Sequence, residues 1–380
     1  MLKKIEKFNI FVVYVKKMVY YYTYKGDDKM KLLPFNNYDL KTPKILEELN
    51  EASRSLAELK GFANSIPNQH ILINAITINE AKDSSEIENI VTTHDSIYKV
   101  LTESGFKEEA AKEVVNYRKA IWRGYEIIKE KEFISTNILV ELQSMIEPNK
   151  TGVRKTMGTN LVNSVTGEII YTPPQTENEI RDLLKNLENY INDMNGDTDP
   201  LIKMALIHYQ FESIHPFYDG NGRTGRILNV LYLVLNKLLD SPILYLSNYI
   251  NKNKGDYYRL FNEFRENDNY EDWIIFILRG ICETSKNTIE LIKRIQELMI
   301  SYKEEFVLKI PKIYSDELLD SLFYEVYTRI NYIEDKCAVT RQTAASYLNQ
   351  LVDAGLLECE KIGRESIYKN TRLIDLLKKF

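Results

Sequence analysis

The sequence predicts a mainly α-helical protein that contains one β-hairpin and carries a separate small domain at its carboxyl end. Apolar residues recur at three- and four-residue spacing through most of the chain after Thr42, as the buried face of a helix requires. A polar, glycine-bearing stretch over 147–174 interrupts this pattern and is typical of a hairpin. Pro311 then ends the helical pattern and marks a domain boundary.

The composition is that of a globular protein. The chain has 380 residues, enough for two or three domains, of which 44% are hydrophobic and 28% charged. A formal net charge of −5 argues against a nucleic-acid coat protein and a polybasic membrane binder. Cys282, Cys337 and Cys359 are scattered without a paired motif, so neither a zinc site nor a disulfide framework is indicated. We therefore expect a cytoplasmic protein.

Residues 1–32 are predicted to form an irregular extension. Their apolar run over 8–15 is short, is closed by Lys16 and Lys17, and leads to no small-residue cleavage site, which argues against a signal peptide. No stretch of the sequence reaches the ~20 apolar residues that a membrane-spanning helix needs. We therefore expect no membrane partner.

A helical region is predicted over 33–110 and a core over 111–301. The first helix has a buried face that carries Ile45, Leu46, Leu49, Ala52 and Leu56. The core helices are expected near 110–131, 136–146, from Glu177, at 200–214, after Gly225, and at 257–264 and 273–302. Between them, two short strands are expected at 159–162 and 168–172. Pro173 and Pro174 end the second strand, because proline prevents further strand pairing.

The tail over 311–380 is predicted to be a winged helix-turn-helix domain. Its helices are expected near 316–329, 332–336 and 340–354, and Gly355 ends the last of them. Two short strands then flank the turn at Gly363 and Arg364.

The segment that carries the chemistry lies between two predicted core helices and reads Ile214-His215-Pro216-Phe217-Tyr218-Asp219-Gly220-Asn221-Gly222-Arg223-Thr224-Gly225-Arg226. His215 is a base that titrates near neutral pH. Asp219 supplies the hard oxygen ligand that Mg²⁺ uses beside phosphates. Gly220 and Gly222 allow the backbone N–H groups to approach an anion at a helix start.

Two arginines complete this segment. Arg223 and Arg226 lie about one helical turn apart and direct two guanidinium groups toward the same place. The alternative is a plain interhelical turn that binds no ligand. Phe217 is best interpreted as a core anchor for the loop. A histidine, an aspartate and two arginines around one turn favour a phosphate-rich, metal-bound ligand beside a general base.

These residues resemble the signature of the Fic family, His-x-Phe-x-(Asp/Glu)-Gly-Asn-Gly-Arg-x-x-Arg, with all eight defined positions present. The resemblance implies a Fic-type helical bundle that transfers AMP from ATP to Ser, Thr or Tyr hydroxyls. His215 would then take the hydroxyl proton, and Asp219 would hold Mg²⁺. The resemblance assigns ATP binding to Gly220, Asn221, Gly222, Arg223, Thr224, Gly225, Arg226, Tyr257 and Tyr258. Two tyrosines at helical positions are also common in a core, which is the alternative for the last pair.

A second resemblance lies upstream, in the part similar to the amino-terminal region of long bacterial Fic proteins. Ser84, Glu88 and Asn89 match the family's inhibitory motif (Ser/Thr)-x-x-x-Glu-(Gly/Asn). Ser84 and Glu88 share one helix face by their spacing. The resemblance implies that Glu88 pairs with Arg226 and disturbs the γ-phosphate. The alternative is a solvated acidic helix.

The hairpin resembles the flap on which target proteins of this family dock by strand addition. Its docking residues would be Thr166, Gly167, Glu168, Ile169, Ile170 and Tyr171. A purely structural hairpin is the alternative. The target itself is not specified by the sequence, because strand addition relies on the backbone, and self-modification is also expected.

The tail has two possible partners. Arg341, Gln342, Thr343 and Ser346 on its last helix suit a major groove, and Lys361, Arg364 and Lys369 would lie on or near the wing. The alternative is a protein contact, including a homodimer, because the basic footprint is thin.

We therefore predict an autoinhibited, Mg²⁺- and ATP-dependent protein adenylyltransferase. Two alternatives remain open. One is a DNA-binding regulator that senses nucleotide, and the other is an enzyme of the same fold that removes AMP.

Overall fold

The computed structural model describes residues 30–66, 69–102, 108–162, 169–324, 326–362 and 365–379, together with the backbone of 10–15 and 18–23. Helices dominate the described part of the chain. They are α1 (Pro43–Ala63), α2 (Gln69–Ile87), α3 (His94–Thr102), α4 (Glu109–Lys131), α5 (Thr136–Ile146), α6 (Glu177–Asn192), α7 (Pro200–Ile214), α8 (Asn221–Leu235), α9 (Leu246–Lys252), α10 (Lys254–Asn267), α11 (Tyr270–Lys309), α12 (Asp316–Tyr324), α13 (Ile330–Lys336), α14 (Arg341–Asp353) and α15 (Thr371–Leu377).

The described strands form three small antiparallel sheets. They are β1 (Ile10–Val15), β2 (Met18–Thr23), β3 (Leu161–Val162), β4 (Ile169–Tyr171), β5 (Tyr327–Thr328), β6 (Glu358–Ile362) and β7 (Glu365–Lys369). β1 pairs with β2, β3 pairs with β4, and β7 lies between β5 and β6. The mainly α-helical class and the embedded hairpin are therefore confirmed.

Two buried helices form the centre of the core. Every residue of α7 from Leu201 to Ile214 is buried, and so is every residue of α8 except Gly222. Helices that are buried on all faces lie inside a domain rather than on its surface. α2, α4 and α5 pack on α8, and α6 packs on α7. The loop between α7 and α8 therefore starts and ends on buried, packed helices.

The longest helix, α11, forms the outer support of this core and lies along α1. Thr42 caps α1 through its hydroxyl, which accepts from the Ile45 amide at 3.3 Å, and Pro43 follows at the helix start. Tyr302 and Phe306 remain buried, and α11 continues to Lys309. The core boundary expected at 301 thus falls inside a continuous helix, and the domain limits stay a prediction.

The carboxyl-terminal domain contains α12 to α15 and the sheet β5–β7–β6. It packs directly on α2, where the Asn74 amide donates to the Tyr324 carbonyl at 3.0 Å and the Asn79 amide to the Leu377 carbonyl at 3.2 Å. Its order of helices and strands agrees with the predicted winged helix, which stays an interpretation of this geometry.

Two predictions for the chain ends were wrong, and one helix was missed. The extension over 1–32 is not wholly irregular, because the backbone forms the β1–β2 hairpin. The helix expected over 316–329 ends at Tyr324, because Tyr327 and Thr328 pair with β7 instead, and aromatic and β-branched residues favour strands. The final helix α15, capped by Asn370, was not predicted.

No helix in the described residues is both long enough and apolar enough to cross a membrane. Cys282, Cys337 and Cys359 are free thiols. The cytoplasmic location stays a prediction.

Candidate active site

The loop between α7 and α8 is closed by its own side chains. The side-chain Oδ1 of Asn221 accepts from the Phe217 backbone amide at 2.8 Å, and its Nδ2 donates to the Phe217 backbone carbonyl at 2.9 Å. Thr224 donates through its hydroxyl to the Gly220 carbonyl at 2.8 Å. Phe217 is fully buried, as expected of an anchor. Asn221 and Thr224 therefore shape the loop itself.

His215 is the first residue of this loop. It has left-handed backbone angles, φ 47° and ψ 59°, which residues other than glycine adopt rarely. Burial is the largest cause that lowers the pKa of His215, to about 4, while Glu88 acts in the opposite direction. The imidazole is therefore neutral at pH 7. Its Nδ1 has no hydrogen-bond partner among the described residues.

Asp219 lies at the outer side of the loop. Its carboxylate accepts from the Gly220 amide at 2.8 Å and contacts the Lys150 ammonium. Burial would raise the pKa of Asp219, but the hydrogen bonds from Lys150 and Gly220 outweigh it and the pKa is lowered. An ionised, part-exposed carboxylate beside an anion-binding turn fits the single protein ligand that Mg²⁺ often uses with phosphates.

Gly222 and Gly225 leave room for two carboxyl groups on the first turns of α8. A Cβ at Gly222 would collide with Glu88 Oε1, and a Cβ at Gly225 would collide with Glu212 Oε1. Glu212 lies one helical turn before His215 and is buried, which raises its pKa to about 8. Its Oε1 has no hydrogen-bond partner among the described residues. The start of α8 thus faces two carboxyl groups.

Arg226 joins α8 to α2. Its Nε donates to Ser84 Oγ at 2.7 Å, and its Nη2 donates to the Ser84 carbonyl at 2.8 Å and to Glu88 Oε1 at 2.9 Å. Burial would raise the pKa of Glu88, but the charge and hydrogen bond of Arg226 lower it. The pair is therefore ionised. Its guanidinium is buried, whereas 36% of the Glu88 side chain is exposed.

Glu88 lies one residue beyond the end of α2 rather than within the helix. α2 ends at Ile87, and Asn89 is left-handed with φ 63°. Lys254 donates to the Ile87 carbonyl at 2.7 Å and lies 3.5 Å from Asn89 Oδ1. The predicted shared face is nevertheless kept, because Ser84 and Glu88 both reach Arg226.

Arg223 was expected to face the phosphates of a ligand, but in the structure carboxylates surround it. Its Nη1 lies 3.0 Å from Glu113 Oε2, and its Nη2 lies 2.6 Å from Glu147 Oε1. The same Nη2 is 3.6 Å from Asp219 Oδ1. Arg223 is almost fully buried and therefore acts as the centre of a carboxylate cluster behind the loop.

A cavity of about 630 Å³ opens beside this arrangement. Glu88, Glu212, Tyr257 and Tyr258 form its inner wall, and both strands of the hairpin form its outer wall. Tyr257 lines the cavity but is buried, and its hydroxyl lies 3.0 Å from His208 Nε2. Tyr258 is exposed. Glu88 and Glu212 line this cavity and also face Gly222 and Gly225, so the tyrosine pair and the first turns of α8 share these two glutamates.

Three family models match separate parts of the chain. The Fic/DOC family N-terminal model matches residues 46–126, and the Fic/DOC family model matches 133–233. A third model, for the carboxyl-terminal domain of SoFic-like protein adenylyltransferases, matches 298–373. The chain belongs to the Fic family.

Curated relatives match this Fic chain over short segments. Protein adenylyltransferase fic-1 of Caenorhabditis elegans is 41% identical over 75 residues, which are 20% of this chain and 14% of that protein. A probable protein adenylyltransferase of Aquifex aeolicus is 44% identical over 62 residues, 16% of this chain and 19% of that protein. The matched segments thus span less than a fifth of each of these two relatives.

Solved Fic structures share the fold. A Fic family protein from Desulfovibrio desulfuricans superposes with a TM-score of 0.55 at 17% identity, over 88% of this chain and 97% of that one. Fic-1 from C. elegans superposes with a TM-score of 0.51 at 20% identity, over 67% and 75%. At such identities the likeness concerns the fold alone.

The hairpin of this Fic chain is anchored at one end. The Tyr171 hydroxyl donates to the Ser213 carbonyl at 2.8 Å, and the Arg265 guanidinium lies 4.4 Å from the Tyr171 ring centre. Ile169 and Ile170 are exposed. The predicted docking residues Thr166, Gly167 and Glu168 lie outside the described residues.

The basic residues predicted for the wing are less available than expected. Lys369 was predicted to lie on or near it, and in the structure its ammonium contacts Glu360 and lies 4.9 Å from the Tyr327 ring centre. Lys361 is exposed, and Arg364 lies outside the described residues. Arg341, Gln342 and Ser346 are exposed on α14.

Sequence reasoning missed several residues of the site. They are Glu113, Glu147, Lys150, Arg154 and Glu212. Glu212 had a usable signal, because a carboxylate on an apolar helix one turn before His215 needs a reason to be buried. The others stand far from the signature, in segments whose positions depend on the tertiary fold.

Proposed function

We propose that this Fic chain is a protein adenylyltransferase, which transfers AMP from ATP to Ser, Thr or Tyr hydroxyls of other proteins and releases pyrophosphate. The observation that carries the proposal is a neutral His215 on the loop that leads into α8, near Glu88, which pairs with Arg226. The names of the curated relatives support the same activity.

His215 would serve as the general base. A base must be unprotonated, and burial already keeps this imidazole neutral near pH 7. It would accept the hydroxyl proton while the hydroxyl oxygen bonds to the α-phosphorus. The bond from the α-phosphorus to the oxygen bridging the β-phosphate breaks, and pyrophosphate leaves with that oxygen.

The start of α8 would hold the phosphates. The free backbone N–H groups of a helix start attract anions, and Gly222 leaves them accessible. Arg226 would neutralise phosphate charge. Asp219 would hold Mg²⁺, which when bound supplies positive charge to the phosphates. Catalysis here would consist of positioning and electrostatic stabilisation.

The hairpin would receive the target. Within the described residues, β4 pairs only with β3, and its other edge has no strand partner. An extended target segment can add to such an edge through backbone hydrogen bonds. The cavity beside β4 would bring the target hydroxyl toward His215.

The pair between Glu88 and Arg226 would make the resting enzyme weakly active. Arg226 cannot fully engage a γ-phosphate while it is bonded to Glu88 and Ser84. A charge-assisted hydrogen bond is strong enough to compete with a phosphate for one guanidinium group.

A DNA-binding role for the tail is the weaker alternative. Phosphate contacts need free basic side chains, and Lys369 is already engaged by Glu360 and Tyr327. Whether α14 contacts DNA, a second copy or another protein would be decided by gel filtration and by duplex titration at two salt concentrations.

The test of the proposed activity is the intact mass of the purified protein after incubation with MgATP. We expect the mass of the Glu88→Gly variant to increase by one or more adenylate groups. In the wild type, a smaller fraction of the molecules should show this increase. No increase in either protein, alone or with a cell extract as target source, would contradict the proposal.

Asp219→Asn is expected to weaken Mg²⁺-dependent nucleotide binding. The amide keeps the size of the side chain but lacks the charge that a hard cation needs. Calorimetric titration with ATP, with and without Mg²⁺, should show a smaller Mg²⁺ effect in the variant. Asp193→Asn, on the surface away from the loop, is the matched control. An unchanged Mg²⁺ effect in Asp219→Asn would exclude Asp219 as the ligand.

A further inference from the structure

Arg154 is a fully buried arginine, with 0% of its surface exposed. Among the described residues it forms no ion pair, and its partners are backbone carbonyls. Its Nε donates to the His215 carbonyl at 2.8 Å, and its Nη2 donates to the Ile214 carbonyl at 3.3 Å and to the Pro174 carbonyl. A buried charge is costly unless it is well bonded, so this arrangement needs a reason.

The backbone of the same segment is fixed to the catalytic loop. The Arg154 amide donates to the Pro216 carbonyl at 2.9 Å, and Val153 forms an antiparallel bridge with Phe217. The side chain then turns to the last carbonyls of α7, which have no partner within the helix. A cation at this end also complements the helix dipole.

These contacts surround the strained residue of the site. His215 holds left-handed angles that persist in proteins only where neighbouring groups enforce them. Arg154 bonds the carbonyls of Ile214 and His215, which belong to the peptide groups that enter and leave this residue. The direction of the imidazole follows from that backbone conformation.

The third carbonyl connects the same guanidinium to the flap. Pro174 follows β4 and precedes α6. A planar guanidinium has five donors in fixed directions, so it can hold separate backbone segments in one geometry. Arg154 is the point where the end of α7 and the end of the hairpin segment meet.

We propose that Arg154 is the positioning residue of His215, fixing the backbone that aims the imidazole and tying it to the segment that follows the target-docking hairpin. The proposal deepens the proposed adenylyl transfer and depends on it for its catalytic consequence. Arg154 touches neither nucleotide nor target and acts through His215.

The charge of Arg154 gives an independent readout. Five influences act on the imidazole: burial and Arg154 lower the pKa of His215, whereas Glu88, the backbone of Glu212 and Asp219 raise it. Removing the cation should therefore raise the pKa of His215 from about 4. Because loss of burial would also raise this pKa, Arg154→Lys, which keeps the charge, separates the effect of the cation from a looser loop.

The kinetic test uses Arg154→Met and Arg154→Lys in the Glu88→Gly background. We expect kcat for AMP incorporation to fall about 100-fold in Arg154→Met, the loss that a displacement of ~1 Å can cause. KM for ATP should remain unchanged, because Arg154 does not contact α8. Arg154→Lys keeps the charge but not the planar donor set, so kcat should fall about 10-fold.

The second test follows His215 directly by NMR. The chain has four histidines, so the His215 signal can be assigned by its loss in His215→Ala. The pKa of His215 should rise in Arg154→Met and stay near its wild-type value in Arg154→Lys. Arg265→Met removes a cation from the Tyr171 side of the hairpin and should leave the pKa of His215 unchanged.

Two results would overturn the proposal. One is a wild-type kcat in both folded Arg154 variants, and the other is an unchanged pKa of His215 in Arg154→Met. If Arg154→Met does not fold, Arg154→Lys decides, and an undiminished kcat there would refute the positioning role. If the parent Glu88→Gly protein incorporates no AMP, the proposed function fails while the NMR titration still tests the link between Arg154 and His215.

Discussion

Replacing Glu88 by glycine is expected to raise the initial rate of AMP incorporation about 100-fold, the effect of correcting a misplaced reacting group. The change removes the carboxylate bonded to Arg226 at 2.9 Å and leaves the contacts of Ser84 in place. Arg226 then keeps its position but gains a free donor. A γ-phosphate can take that donor and set the α-phosphorus in line with the attacking hydroxyl.

The position of Glu88 over Gly222 makes this effect larger than the loss of one hydrogen bond. The carboxylate lies so close to Gly222 that a Cβ there would collide with it. It therefore covers part of the α8 start as well as neutralising Arg226. Removing it restores both the space and the positive charge that a phosphate needs.

Two further variants separate charge from position. Glu88→Gln keeps the size but removes the charge, so we expect an intermediate rate. Glu88→Asp should relieve inhibition partly, because its shorter side chain reaches less far. Glu86→Gly is the matched control, because Glu86 lies two residues before Glu88, on the final turn of α2, but pairs with Lys82 at 3.1 Å. Its rate should equal that of the wild type.

Rates are measured as labelled AMP incorporated per minute at saturating MgATP, with ATP affinity and thermal stability determined in parallel. We expect little change in either of these for Glu88→Gly. An equal or lower rate in Glu88→Gly would refute autoinhibition. If that variant also lost the ability to remove AMP from a modified protein, Glu88 would serve hydrolysis instead, as a group that positions water.

The loop of the site could be predicted from the sequence because its residues contact neighbours that are close in sequence. The turn from His215 to Arg226 joins two helices, and its hydrogen bonds run between residues about four positions apart, as for Asn221 with Phe217. The contact of Glu88 with Arg226 spans 138 positions, and the resemblance to the Fic family supplied it. Periodicity alone would have left Glu88 on a solvated helix.

Contacts between distant segments explain what the sequence did not indicate. Arg223 was expected to face phosphates, yet Glu113 from α4 and Glu147 after α5 surround it. Nothing local marks these glutamates, because their partner is set by how α4, α5 and α8 pack. Arg154 is similar, since an arginine in a polar stretch is normally exposed.

Replacing His215 by alanine in the Glu88→Gly protein is expected to abolish AMP incorporation, with a loss of at least about 1000-fold. The Glu88→Gly background gives a high starting rate, so that a residual rate can be measured. The substitution removes the base while α8, Arg226 and Asp219 keep their places. ATP affinity should therefore be retained, and the loss should appear in kcat.

His94→Ala is the matched control for this loss. His94 is also a shielded histidine, bonded to Asn79 at 2.8 Å, and burial lowers its pKa to about 4. It lies on α3, outside the cavity, so its removal should leave kcat unchanged. Comparable losses in both variants would indicate a general effect of removing a buried imidazole.

The pH dependence of kcat/KM provides the final test of His215, because this ratio reports the free enzyme. A base loses activity when it is protonated, so activity should fall as the pH drops through the pKa of His215. That pKa is lowered by burial to about 4. The acid limb should therefore lie well below the ordinary histidine value of ~6.5. An acid limb near the ordinary value, or undiminished labelling by His215→Ala, would exclude this imidazole as the base in its buried setting.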